Sequence, residues 1–246
     1  LRDNAGMIAV LGAAMYDAGD TVLIEDSSVR PDFRPDEVEV TWRSEGTVAR
    51  SDPNDERPQG AEAIVELEAD EGRAYKRRHS KAYRHPALDR RLRRQRTRSE
   101  ARLTSDARRL GVSTPVVFDI DPPSGLLEFE FVGEADLSES ITTARIRTVG
   151  RHLAHCHEAG FVHGDPTPRN VRVSSDRTWL IDFGLGYYTD DVEDYAMDLH
   201  VFEGALGGTA ANPAELIAAF EDAYRDAGDE RVLRRLRDIE RRGRYQ

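Results

Sequence analysis

Cysteine occurs once among the 246 residues, at Cys156, which excludes a disulfide within the chain and a zinc site built on several cysteines, and points to a reducing compartment. Long apolar runs are also missing. The longest nearly continuous one, Ala5 to Met15, falls far short of the roughly 20 residues that cross a bilayer. Nothing at the start reads as a secretory leader, so a cytoplasmic protein with no membrane partner is expected. Lysine is almost absent, with two residues, Lys76 and Lys81, against 33 arginines in a chain of net charge −11. An acidic, lysine-poor surface fits a protein kept soluble in a very salty cytoplasm, and arginine codons favoured by a G+C-rich genome fit as well.

The scarcity makes the two lysines candidates for contact with phosphate. A compact ammonium acts there as a point charge where a planar guanidinium would need different geometry. Chance survival of the pair is the alternative, and for Lys81 it stays open. The other cations are clustered: residues 73–109 hold 15 basic and 3 acidic groups, and residues 231–246 hold 7 and 2. Such blocks are an electrostatic footprint for polyanions, although each arginine by itself reads equally as a solvated residue paired to a neighbouring acid.

Periodicity and turn residues divide the chain. Residues 5–18 read as a small-residue helix. Residues 43–59, with two prolines, mixed charge and few apolar side chains, read as a linker. Beyond it, 63–68 and 73–77 read as two strands around the turn Ala69-Asp70-Glu71-Gly72, so Lys76 sits on a strand. An arginine-rich helix is predicted from Pro86 to Leu110, carrying Glu100, and strands near 115–119 and 126–132 follow. A helix from Thr142 to Ala159 carries Ile146, Val149, Leu153 and Cys156 at helical spacing and ends at Gly160. Helices near 191–205, 213–227 and 229–241 complete the reading.

The chemistry gathers after that Gly160 helix. His163-Gly164-Asp165-Pro166-Thr167-Pro168-Arg169-Asn170 is followed by Ile181-Asp182-Phe183-Gly184, with Asp165 and Asp182 separated by 17 positions. Phosphoryl transfer needs a carboxylate beside the acceptor hydroxyl, oxygens that hold magnesium and a cation on the phosphates. Asp165 fits the first role, Asn170 and Asp182 the second, and Lys76 the third, with Glu100 as its ion-pair partner on the next helix. Asp198 fits a support for the catalytic loop, though a surface acid would look the same. The Gly-x-Gly-x-x-Gly loop that covers phosphates is reduced to Gly60-Ala61-Glu62-Ala63, which with Lys76 and Lys81 forms the expected ATP-binding set. Only 13 residues separate Gly184 from Asp198, so the activation segment is missing or minimal. The fold expected is α+β and bilobal, of protein-kinase type.

Gly60-Ala61-Glu62-Ala63, Lys76, Lys81-Ala82-Tyr83-Arg84-His85-Pro86, Leu88-Asp89, Arg96-Thr97-Arg98-Ser99-Glu100, His163-Gly164-Asp165, Asp182-Phe183-Gly184, Glu193-Asp194 and Asp198-Leu199 together resemble the small RIO-related kinase of the KEOPS complex, the PRPK family. The likeness runs from Gly60 to Arg244 and departs in the catalytic loop, where Pro166-Thr167-Pro168-Arg169 stands in place of Leu-Thr-Thr-Ser. The stretch Arg2-Asp3-Asn4-Ala5-Gly6-Met7-Ile8-Ala9, with Pro31, Phe33, Arg34 and Trp42, is similar to the end of the TsaD-like tRNA threonylcarbamoyladenosine synthase, an ASKHA-type domain.

The resemblance implies a C-terminal fragment of a fused protein from a halophilic archaeon: residues 1–42 a synthase fragment, 43–59 a linker, and 60–246 a small atypical kinase. It implies a RIO-type serine/threonine kinase and ATPase using ATP and magnesium, with the rest of the synthase, other KEOPS subunits and tRNA as partners. It also makes Asp3 a ligand of a divalent iron or zinc in the intact synthase, although none of the seven histidines has the His-x-x-x-His spacing of its partners. Two other readings stand beside it: a small-molecule phosphotransferase of the aminoglycoside-kinase kind, which shares His-Gly-Asp and the Asp turn, and a silent pseudokinase scaffold.

Overall fold

The computed structural model describes residues 63–81, 84–210 and 212–243, with Tyr16 and Gly19. The segments assigned to the synthase fragment and the linker, and with them Asp3, Gly60, Ala61 and Glu62, lie outside the described residues. The described part is α+β with antiparallel sheets.

Strands β1 (Ala63–Glu68) and β2 (Arg73–Arg78), helix α1 (Pro86–Arg109), and strands β3 (Val117–Asp121) and β4 (Leu126–Glu130) form the first half. The sheet order is β1-β2-β4-β3. Lys76 is therefore on an inner strand, flanked by Val65 and Leu127. The two later strands differ slightly from expectation. Pro115 has no N–H for a ladder, so β3 begins after it. At the other boundary the Phe131 N–H turns to the Gly72 carbonyl at 2.9 Å, and β4 ends at Glu130.

Helix α1 opens on Pro86, whose missing N–H costs nothing at a first helical position. Its apolar residues serve both halves of the molecule. Ala101 packs with Leu127 and Phe129 beneath the sheet, whereas Leu103 and Ala107 enter the main core. Glu100 is thus carried on an element wedged between the two.

The second half begins with β5 (Ala135–Asp136), α2 (Thr143–Glu158) and β6 (Phe161–Val162). Next come β7 (Val171–Val173), β8 (Thr178–Leu180), β9 (Tyr187–Tyr188), α3 (Val192–Thr209), α4 (Pro213–Ala227) and α5 (Glu230–Gly243). Strand β7 lies between β5 and β8, and β6 pairs with β9. In α2, Ile146, Val149, Leu153 and Cys156 are all fully buried, as their spacing predicts. Burial pushes the Cys156 thiol well above its ordinary pKa, so it is an inert core group. Among the described residues no helix is long and apolar enough to cross a membrane.

Helices α2 and α4 cross so closely that a Cβ on Gly150 would lie 2.7 Å from the Phe220 carbonyl oxygen. Gly150→Ala is expected to destabilise the fold by about 1–3 kcal/mol through overpacking. Gly204→Ala, in α3 with nothing within 4 Å of the new methyl, is expected to be neutral or mildly stabilising through helix propensity. Thermal melting of the two variants side by side checks both.

Candidate active site

Alternation along β2 turns Lys76 and Arg78 to the same face, and α1 presents Glu100 to both. Lys76 Nζ lies 2.7 Å from Glu100 Oε1 and 2.7 Å from Asp182 Oδ1. The Arg78 guanidinium donates to the other Glu100 oxygen. A carboxylate only 1% exposed is thereby held between two cations, the arrangement that makes a buried charge tolerable. Burial works against the Lys76 ammonium, but Glu100 and Asp182 outweigh it and its pKa is raised. Arg78 was not among the residues expected at the site. Its signal was available, because it stands two positions after Lys76 on a strand.

The loop after β6 brings the acids together. His163 is fully buried, and its Nε2 lies 2.9 Å from the Ile181 carbonyl oxygen, which places a proton on that nitrogen. Burial lowers its pKa despite Asp198 and Asp182, so the ring is a neutral strut beneath the loop. Gly164 has φ of 85°, and a Cβ there would lie 2.3 Å from the Leu185 carbonyl oxygen. Only glycine fits between the two loops. Asn170 Nδ2 donates to the Asp165 carbonyl at 2.8 Å and to Asp165 Oδ2 at 2.9 Å. Pro166 and Pro168 are accommodated, the second as the first residue of a 3-10 turn over Pro168–Asn170.

Asp198 is a loop support and not a surface acid. It is 3% exposed and accepts the backbone N–H of His163 at 2.6 Å and of Gly164 at 2.8 Å. Behind it, His157 Nε2 lies 3.2 Å from Asp198 Oδ2, and His157 Nδ1 lies 2.9 Å from Tyr224 Oη. Asp198→Asn puts an amide N–H against one of those donors. Turnover is expected to fall by about 10–100-fold through misplacement of Asp165, with secondary structure retained; circular dichroism and steady-state kinetics check it.

Lys76, Glu100 and Asp182 line a cleft of about 330 Å³, whose walls also include Val65, Ala74, Phe129 and Ile181. Ala63 begins β1 and pairs with Arg78. Lys81 is not brought to this cleft; its backbone N–H donates to Asp89 at 3.0 Å, near the start of α1. After Gly184 the chain runs through β9 into α3 at Val192, leaving no room for a longer docking segment.

The basic blocks separate into two kinds. Many of their arginines hold the fold: Arg73 pairs with Glu128, Arg93 with Asp89, and Arg108 donates to the Thr114 carbonyl. At the C-terminal end Arg231, Arg235, Arg237, Arg241 and Arg242 all pair with acids. These are surface pairs of largely exposed guanidinium groups, which matches the reading of each arginine as a solvated residue paired to a neighbouring acid. By contrast, Arg90, Arg94, Arg98 and Arg102 repeat every fourth residue of α1 and line a groove of about 680 Å³ with Arg91 and Tyr188.

The sequence matches the phosphotransferase enzyme family (APH) over residues 51–238. It is 70% identical to a protein of Natronomonas pharaonis and 61% identical to one of Haloquadratum walsbyi, in each case over 100% of this chain and 46% of the relative. Both carry the name "probable bifunctional tRNA threonylcarbamoyladenosine biosynthesis protein". The chain thus spans about half the length of the curated relatives it matches. Among solved structures, a choline/ethanolamine kinase family protein from Mesorhizobium loti is similar with a TM-score of 0.47 at 16% identity, over 71% of this chain and 70% of that one.

Proposed function

Because this chain belongs to the phosphotransferase enzyme family, we propose that its cleft binds ATP with magnesium and that the protein is the RIO-type kinase and ATPase of a KEOPS complex. In that role it supports threonylcarbamoyladenosine modification of tRNA at the adenosine beside the anticodon. The observation that carries the phosphotransfer reading is Lys76 Nζ bridging Glu100 and Asp182 at 2.7 Å each. A scaffold has no need of a buried ammonium poised between two acids in a cleft.

In this reading Lys76 contacts the phosphates, Glu100 fixes Lys76, and Asp165 orients the attacking hydroxyl or water. Asn170 and Asp182 offer magnesium hard oxygen ligands. The Asn170 amide nitrogen is committed to Asp165, which leaves its oxygen as the atom to offer. Among the described residues no cluster of three His, Cys, Asp or Glu side chains could hold a metal by itself. That accords with an ion held by one or two protein oxygens and completed by substrate phosphates and water. Magnesium bound there would neutralise charge on the phosphate oxygens.

The relatives' names support the wider role, and the Arg90–Arg102 stripe supports a tRNA backbone as partner, through phosphate contacts that weaken as salt rises. The remaining synthase domain and other KEOPS subunits complete the proposed assembly, with serine or threonine as the protein acceptor. The deciding experiment is magnesium-dependent ATP turnover at high salt, by the chain alone and with the synthase portion and tRNA added. Turnover that rises with those partners supports the proposal. The family match also favours a small-molecule phosphotransferase, so an aminoglycoside is included as acceptor; turnover rising with it instead would replace the KEOPS reading.

A further inference from the structure

Two residues beyond Asn170, an arginine stands on the central strand β7 and lines the same cleft as Lys76. Arg172 Nη1 donates to Asp136 Oδ1 at 2.8 Å, Nε to the Val132 carbonyl at 3.3 Å, and Nη2 to the Gly133 carbonyl at 3.1 Å. Val132 and Gly133 belong to the link between β4 and β5, where the first sheet passes into the second half of the molecule. That link is pressed onto β7: a Cβ on Gly133, whose φ is 67°, would lie 2.9 Å from both Arg172 Cβ and Val173 N. Every nitrogen of the guanidinium thus faces the link or Asp136, although the residue also lines the cleft.

Hydrogen bonds to a guanidinium lie in its plane, so its two faces stay available for stacking on a ring. Asp136 balances its charge, which makes this part of the cleft electrically mild while Lys76 draws the phosphates. We propose that Arg172 is a positioning and base-specificity residue of the nucleotide site, its guanidinium face forming the seat of a purine ring and its fork holding the Val132–Gly133 link and Asp136 around that ring. A purine presents more ring surface to the plane than a pyrimidine, so ATP is favoured over CTP. The inference rests on the ATP reading above.

The test is steady-state turnover of ATP and CTP, with calorimetric titration of MgATP and thermal melting, for wild type, Arg172→Leu and Arg172→Lys. Loss of the stacking plane is expected to raise KM for ATP about tenfold in both variants. The change in kcat is expected to stay within about twofold, because the groups at the phosphates are untouched. The preference for ATP over CTP should shrink by about the same tenfold factor. Lysine keeps a charge for Asp136 but has neither plane nor fork, so the base preference separates the two roles: a purely structural Arg172 would raise KM for ATP and CTP alike and leave their ratio unchanged, whereas the proposed one loses the preference for ATP. Should Arg172→Leu fail to fold, Arg172→Lys carries the same comparison. Unchanged KM and unchanged base preference in an active enzyme overturn this inference alone, whereas wild type that neither binds nor turns over ATP overturns the ATP reading with it.

Discussion

Asp182→Asn is expected to lower magnesium-dependent ATP turnover by at least about a thousandfold while the protein still folds. The choice of asparagine follows from the backbone. Asp182 is the one described non-glycine residue with positive φ, at 64°, a region that asparagine enters as readily as aspartate and alanine does not. Its side-chain oxygen can also still accept the Gly184 N–H, which donates to Asp182 Oδ1 at 3.1 Å. What the substitution removes is charge. Burial pushes the Asp182 pKa up, but Lys76 and the Gly184 N–H pull it down by more, so the carboxylate is ionised throughout the working range. The amide would leave Lys76 with Glu100 alone and remove the anionic ligand proposed for magnesium. Turnover within about tenfold of wild type, in a variant that melts like the parent, would remove Asp182 from the chemistry and the phosphotransfer reading with it.

How much of this site could be read from the chain depends on the separation of its parts. Asp165 and Asn170 lie on one loop, and Asp182 heads the next turn, so their spacing carries the geometry directly. Lys76 and Glu100 were legible because a strand followed by a helix brings such a pair together, and the ion pair is there. Asp198 was ambiguous, since an acid on a helix reads as solvated until the loop it supports is seen. The His157–Tyr224 contact spans 67 positions and leaves no periodic trace. The acid partners of the C-terminal arginines were hidden for a related reason. Arg235 finds Glu193 across 42 positions, whereas the every-fourth-residue stripe of α1 is local and could have been counted. The strand limits at Pro115 and Glu130 turned on a single side chain without an N–H and a single diverted backbone bond.

Glu203 carries the other large prediction. It sits in α3 at 5% exposure, and among the described residues neither carboxyl oxygen has a hydrogen-bond donor. Burial, with Glu221 of α4 and Glu240 of α5 adding negative potential, pushes its pKa from 4.5 up to about 8. Arg225 and Arg237 both pair with Glu221, at 3.6 Å each. Glu203 is therefore protonated in the fold at neutral pH, while the unfolded chain ionises above its ordinary value. The folded state holds the extra proton between those two limits, so the stability linked to Glu203 is complete below about 4.5, declines as pH rises, and is lost above about 8. Glu203→Gln mimics the neutral acid and has no such titration. Its stability relative to wild type should be near zero at the acid end and grow by about 1.4 kcal/mol per pH unit through the window. At pH 8.5 a melting temperature higher than wild type by about 5 °C or more is expected, against a much smaller difference at pH 5. Parallel melting curves across the whole range would mean that the carboxylate stays ionised in the fold, held by a donor that reaches it between α3, α4 and α5.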